Sequence, residues 1–99
     1  NADMSGLRNT ADNIKRKIGS SIIVLGSDVN GKVALVCSVS ADLVSKGANA
    51  SSVIKKISQI VGGSGGGRAD FAQAGGKDVA RLDEALNEAM KVVQKELKK

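Results

Sequence analysis

The chain has 99 residues, enough for a single domain spanning residues 1–99 with a modest core and no second domain. Fifteen lysines and arginines against ten acids give a formal net charge of +5, which favours a polyanionic partner only weakly. With no histidine and one cysteine, Cys37, the composition excludes a zinc site, a Ser-His or Cys-His nucleophile and an internal disulfide. No apolar run is long enough to span a membrane, so no membrane partner is expected. The start at Asn1 rather than methionine suggests a fragment of a larger protein.

The first element is predicted to be an amphipathic helix from about Met4 to Ile18. Its apolar residues recur at helical spacing: Leu7, Ala11, Ile14 and Ile18. Asp3 or Ser5 is expected to cap its start, and Gly19 to end it. The cations on or beside its opposite face are Arg8, Lys15, Arg16 and Lys17. They form either a basic ridge for RNA or an ordinary solvated face.

A β-hairpin follows the first helix. The β-branched run Ser20–Leu25 has no polar alternation and predicts a strand buried on both faces. Asn30-Gly31 is a strong hairpin signal, because both positions tolerate positive φ. The second, antiparallel strand is predicted over Lys32–Val39, and Cys37 within it is interpreted as a buried strand residue.

Two further helices are predicted in the second half of the chain. The apolar stripe of the first consists of Val53, Ile54, Ile57, Ile60 and Val61. Ser51 or Ser52 is expected to cap it, Gly62 to end it, and the preceding residues 44–49 to form a loop. The stripe of the second helix, of about 20 residues, consists of Val79, Leu82, Leu86, Met90, Val93 and Leu97. Asp78 is its expected N-cap.

Between these helices lies a glycine-rich segment, GGSGGGRADFAQAGG, at residues 62–76. Too few residues follow for it to be a linker to another domain, and Arg68-Ala69 stand where a Walker A loop needs Lys-Ser or Lys-Thr. A Rossmann fingerprint fails because Arg68 stands where its third glycine would be. Exposed glycine amides form an anion-binding nest, and Arg68 adds a donor suited to phosphate. Asp70 either orients Arg68 or accepts hydrogen bonds from the glycine amides. On these residues alone, an anion-binding site and a purely structural loop are equally well supported.

These elements predict an α/β (α+β) fold with the order α-β-β-α-β-α, provided that the segment after the glycines is a strand. The helices are expected to pack on a small mixed sheet. Phe71 is the only aromatic residue and is predicted to belong to the core rather than to stack on a base. Any RNA is therefore expected to be held through phosphates, sugars and shape.

The glycine segment resembles the signature of the C-terminal domain of bacterial alanyl-tRNA synthetases, which belongs to the wider DHHA1 family. The resemblance extends over the first helix and hairpin, through Leu7-Arg8, Ala11-Asp12, Lys17–Ser20, Val24–Ser27 and Gly31–Val33. Ala69 stands where these synthetases typically have proline, and Phe71 where methionine is common. Neither departure removes Arg68 or Asp70.

The resemblance implies a DHHA1-like fold and a non-catalytic, cytoplasmic tRNA-binding domain of an alanine–tRNA ligase. Such a domain helps to place tRNA(Ala), by its elbow, for aminoacylation and editing, alongside the remaining domains of the parent synthetase. The domain itself is expected to hold no cofactor, whereas the parent uses ATP, Mg²⁺ and Zn²⁺ elsewhere. The predicted RNA-binding residues are Gly65, Gly66, Gly67, Arg68, Gln73, Lys77, Lys55, Lys56, Lys15 and Arg16.

Two alternatives from other functional classes remain at this point. DHHA1 domains also form the substrate-binding part of DHH-family phosphodiesterases and exonucleases. The chain is alternatively a protein-interaction or dimerisation module that uses the apolar stripe of its last helix, although that stripe is more simply the core of the domain itself.

Overall fold

The computed structural model describes residues 3–97, with side chains for residues 3–95. Helix α1 spans Met4–Ile18, and the Asp3 carboxylate caps it by accepting a hydrogen bond from the Gly6 amide at 2.9 Å. Gly19, at φ 80°, ends it. These limits confirm the predicted helix and caps. Ile18 leaves the predicted apolar face, because 62% of its surface is exposed at the last turn.

Strands β1 (Ile22–Val29) and β2 (Lys32–Val39) form the predicted antiparallel hairpin. Asn30 and Gly31 take φ values of 54° and 81° in its turn, as the Asn-Gly pair predicts. The burial of the first strand was predicted wrongly. β1 lies at the edge of the sheet with only Ile23 of its eight residues buried, whereas β2 lies inside the sheet and is the buried strand.

The connection after β2 is partly helical. Helix α2 spans Ala41–Ser45, so the loop predicted over residues 44–49 is shorter than expected. Helix α3 spans Ala50–Ile60, and its cap is Asn49, whose side chain accepts a hydrogen bond from the Ser52 amide at 3.0 Å. The predicted caps Ser51 and Ser52 are wrong because both residues already lie inside the first turn of α3.

The glycine segment supplies two strands rather than one. β3 spans Ser64–Gly67 and β4 spans Phe71–Gly76, and the sheet order is β1-β2-β4-β3 with every pair antiparallel. The expected α-β-β-α-β-α order therefore lacked one strand and the short helix α2. The expected mixed sheet is also wrong: β2 and β3 run in the same direction, but β4 lies between them and removes any parallel pairing.

Helices cover both faces of the sheet, as expected for an α/β domain. The side chains of β2 alternate between two clusters. Ala34 and Val36 face one cluster, and the alternate residues Val33, Leu35, Cys37 and Val39 face the other. The cluster on one face joins α1 to the sheet through Leu7, Ala11, Ile23, Ala34 and Val36. The larger cluster joins α3 and the C-terminal helix to the other face; among its members are Leu35, Cys37, Val39, Val53, Ile54, Ile57 and Val61. Cys37 is buried in β2 as predicted.

Helix α4 spans Leu82–Leu97 and follows a short 3-10 turn at Val79–Arg81. Asp78 precedes that turn without the expected side-chain capping bond. The most buried residues of α4 are Ala85, Ala89 and Val92, because small side chains let the helix pack closely against α3. Met90, predicted to face the core, is 65% exposed. The side chain of Leu97, also assigned to the stripe, lies outside the described part.

Candidate nucleic-acid interface

The glycines before Arg68 form an edge strand with little room for side chains. A Cβ on Gly63 would lie 1.8 Å from the Gly75 carbonyl oxygen, and one on Gly65 would lie 2.3 Å from the Ala74 Cβ. At Gly67 the Phe71 carbonyl oxygen would be 2.6 Å away. These contacts are shorter than any that real Cβ atoms make, so the strand approaches β4 closely because these positions are glycine.

The predicted phosphate nest therefore takes a different form. Gly65, Gly66 and Gly67 pair with Ala74, Gln73 and Ala72 of β4. Because an antiparallel ladder uses the amides of alternate residues, part of the run is bonded to β4 and does not form an open concave loop. Of the three, Gly66 has space: a Cβ there would meet only the Lys55 Cε at 3.7 Å and the Ser51 Oγ at 4.0 Å.

The turn between β3 and β4 is fixed by hydrogen bonds to three elements. The Arg68 amide donates to the Phe71 carbonyl, the Ala50 amide at the start of α3 donates to the Ala69 carbonyl, and the Val39 amide of β2 donates to the Asp70 carbonyl, each at 2.8 Å. The Arg68 side chain is 80% exposed and its Nε lies 3.4 Å from the Asp70 carboxylate. A rigid turn thus presents a solvent-facing guanidinium that Asp70 orients.

On the α1 side of the sheet, Arg8 joins this turn. Its guanidinium carbon lies 5.2 Å from the centre of the Phe71 ring, within the range of a cation–π contact. Phe71 is half-buried and packs against the α1 cluster, so the prediction that it belongs to the core is confirmed only in part. A cleft of about 290 Å³ lies here, lined by Arg8, Gly66, Gly67, Arg68, Phe71, Ala72 and Gln73. A second of about 210 Å³ adjoins it, lined by Arg8, Asp12, Lys15, Ser38, Arg68, Asp70 and Phe71.

On the α3 side, a wider cleft of about 550 Å³ meets the same turn. Its lining consists of Asn49, Ser51, Ser52, Lys55, Lys56, Gly67 and Ala69. The cleft lies at the start of α3, where the partial positive charge of the helix end adds to the two lysines. Within the part of the chain that the structure describes, Arg8, Lys15, Lys55 and Lys56 form no ion pair, so their charge is available to a polyanion.

The structure brings most of the predicted RNA-binding residues to one end of the domain. Those that line the clefts around the turn are Gly66, Gly67, Arg68, Gln73, Lys55, Lys56 and Lys15. Gly65 adjoins them in β3. Lys77 does not join the group, because it follows the far end of β4, about 20 Å from the turn at about 3.3 Å per residue.

Arg16 lines a separate cleft at the end of α1. Its neighbours there are Asp12, Lys15, Gly19, Ser20, Ser40 and Asp42. Hydrogen bonds from the Ser20 and Ser40 hydroxyls lower the pKa of the Asp42 carboxyl below its ordinary value, so the carboxylate stays charged beside Arg16. The local charge around Arg16 is therefore more nearly balanced than around Arg68.

Arg8 is named among the cations of a possible basic ridge on the first helix, but it is not included in the set of predicted RNA-binding residues. A signal was present: Arg8, Asp12 and Lys15 each follow an apolar residue of the α1 stripe, so they flank the buried face of the helix. That position brings a long side chain back onto the sheet. The partner, Phe71, lies on β4, and no spacing within α1 indicates that contact.

In residues 3–97, no helix is both long and apolar enough to cross a membrane. The described residues contain no group of three or more histidine, cysteine, aspartate or glutamate side chains placed to hold a metal ion.

Comparison with known proteins assigns the family. The sequence model of the DHHA1 domain matches residues 1–99. The chain belongs to the DHHA1 domain family. The alanine–tRNA ligase of Acetivibrio thermocellus is 52% identical over 95 residues, which cover 96% of this chain and 11% of that protein. The alanine–tRNA ligase of Exiguobacterium sibiricum is 54% identical over 85 residues, which cover 86% of this chain and 10% of that protein. The chain thus spans about a tenth of the length of these curated relatives.

Solved structures agree with this assignment. The crystal structure of the C-Ala domain from Aquifex aeolicus alanyl-tRNA synthetase superposes with a TM-score of 0.83 at 32% identity, covering 93% of this chain and 82% of that one. The resemblance to the C-terminal domain of alanyl-tRNA synthetases is confirmed, as is the expectation of an α/β domain with helices packed on the sheet. This DHHA1 domain is of the C-Ala type.

Proposed function

We propose that this DHHA1 domain binds tRNA as the non-catalytic C-Ala part of a cytoplasmic alanine–tRNA ligase. Its role is to hold the elbow of tRNA(Ala) while the remaining domains of the ligase aminoacylate and edit. The observation that carries the proposal is the convergence of Arg8, Lys15, Arg68 and Lys55 on the two sides of one rigid turn.

The chemistry of this surface suits a sugar-phosphate backbone. Arginine presents a planar set of donors to phosphate oxygens, and lysine supplies a mobile point charge. Clefts on both sides of the sheet edge allow one RNA to be contacted on both sides of the turn. Such contacts give affinity and position without reading the sequence.

The domain supplies no catalytic group in this proposal. ATP and Mg²⁺ would serve aminoacylation, and Zn²⁺ editing, in other domains of such a ligase. The DHH phosphodiesterase alternative is less well supported, because the curated relatives compared above are alanine–tRNA ligases.

The test is direct binding of the 99-residue chain to full-length tRNA(Ala) and to an acceptor minihelix that lacks the elbow. We expect tRNA to bind more tightly than the minihelix by at least about tenfold, because the minihelix keeps similar phosphates but lacks the folded corner. Equal affinity for the two RNAs contradicts the proposal that the domain binds the elbow of the tRNA. Lack of binding to either contradicts the proposed function as a whole.

A further inference from the structure

The contact between Arg8 and Phe71 has a geometry that the binding of phosphates does not require. The ring lies under the guanidinium at 5.2 Å and is itself half-buried against α1. Leu7 and Ala11, both buried, fix the turn of α1 that carries Arg8. The guanidinium carbon therefore lies over an aromatic ring, while the cleft beside it is open to solvent.

We propose that Arg8, supported by Phe71, is a stacking platform for one unpaired base of the bound RNA. This inference rests on the proposed function and specifies which part of the RNA binds on the α1 side of the turn. A guanidinium is planar and weakly hydrated, so it stacks on rings on both of its faces. Bases released from a duplex are commonly held by stacking on aromatic rings or arginine planes.

The neighbours of Arg8 provide the other contacts that a single nucleotide needs. Arg68 lines the same cleft with an exposed guanidinium for the phosphate. Gln73 also lines the cleft and is exposed, and its side chain makes no hydrogen bond within the described residues. Its amide has both a donor and acceptors for the edge of a base.

The base has to be unpaired for a geometric reason. In an A-form helix each base is covered on both faces by its neighbours, and the deep, narrow major groove does not admit side chains. A platform that offers a flat face is reached only by a base from a loop, a bulge or an end. The lone aromatic residue thus contributes to base stacking indirectly, through the arginine that covers it.

The experiment compares two RNAs of equal length and charge, a hairpin with an open loop and a fully paired duplex, with Arg8→Lys as the variant. Lysine keeps the charge and loses the plane. Arg81→Lys is the matched control, because Arg81 is an exposed arginine beyond the far end of β4, away from Phe71. We expect wild type to prefer the hairpin, Arg8→Lys to lose about tenfold on the hairpin and little on the duplex, and Arg81→Lys to behave as wild type.

A fluorescent purine analogue placed in the loop gives the second readout. Its emission should be quenched when wild type or Arg81→Lys binds, and remain high with Arg8→Lys, while thermal melting confirms that all three proteins are folded. If Arg8→Lys loses equal affinity for the hairpin and the duplex, or if the two substitutions have equal effects, the stacking platform is overturned. Those outcomes do not contradict the proposed binding of tRNA. Absence of binding to tRNA, hairpin and duplex alike overturns the proposed function instead.

Discussion

Arg68 is the residue for which the sequence left two roles equally open, phosphate binding and bracing of the turn. The turn itself is held by backbone bonds from α3 and β2, which do not involve the Arg68 side chain. The Arg68–Asp70 pair is exposed on both sides, at 80% and 51%, and pairs of that kind add little to stability. The surroundings favour a binding role.

We therefore expect Arg68→Ala to weaken tRNA binding by about 1–3 kcal/mol, the scale of a hydrogen bond to a charged group. The melting temperature should change by less than about 2 °C. Lys77→Ala is the control, since it removes the same charge at the far end of β4. A large fall in melting temperature with normal tRNA binding by the folded fraction would assign Arg68 to the architecture of the turn.

At the same scale, the sequence identified some site residues and not others for a physical reason. Arg68 and the glycines are consecutive, so their proximity is covalent and visible in the chain. Lys55 was also predicted to bind RNA, but no pattern in the sequence indicates that Lys55 and Arg8 both reach the turn, because they lie on two helices on opposite faces of the sheet. Lys77 is close to the turn in sequence but distant in space, because a strand is extended. Residues that are close in sequence are therefore far apart when an extended strand separates them, whereas residues on different helices can lie close together at the turn.

At the scale of elements, β3 tests how strictly the glycines are required. Gly65→Ala places a methyl group against the backbone of β4, and we expect it to cost about 1–3 kcal/mol of unfolding free energy, as overpacking does. Gly66→Ala, its neighbour in the same strand, meets only side-chain atoms at ordinary contact distance and should change stability by less than about 1 kcal/mol. Urea denaturation of the two variants measures the difference.

The outcome that would contradict this account is equal destabilisation by the two substitutions. That result would mean that the glycines are needed for backbone freedom along the whole strand. It would not depend on close approach at particular positions.

The elements with strong local signals were predicted well from the sequence. Helix α1 has an apolar stripe with a cap at each end, and the β1–β2 turn has an Asn-Gly pair, so local chemistry sets their limits. Strand β3 has no such signal, because glycine is depleted in strands and the run offers no side-chain alternation. Its extended form comes from pairing with β4, a tertiary effect. The β1 edge position likewise depends on which strands pair, which the chain order does not reveal.

At the scale of the whole molecule, the basic end should give binding a strong dependence on salt. Five cations line the clefts around the turn: Arg8, Lys15, Lys55, Lys56 and Arg68. If each neutralises one phosphate, the slope of log affinity against log salt for tRNA is about −4. Titration at several salt concentrations measures it. Lys55→Ala should reduce the slope by about one, and an unchanged slope would place the RNA away from α3.

The pairing of β2 with β4 also governs how quickly this domain acquires its structure. Each hairpin, β1–β2 and β3–β4, is closed by a short turn and brings together neighbours in sequence. The β2–β4 seam joins segments separated by α2, α3 and β3, so closing it costs the chain entropy of a long loop. The hairpins are able to form early on the microsecond scale, and the seam then sets the pace of the cooperative step. In the smaller cleft beside α1, Ser38 of β2 and Phe71 of β4 lie on opposite sides of that seam, so this part of the proposed RNA surface is among the last parts of the molecule to form.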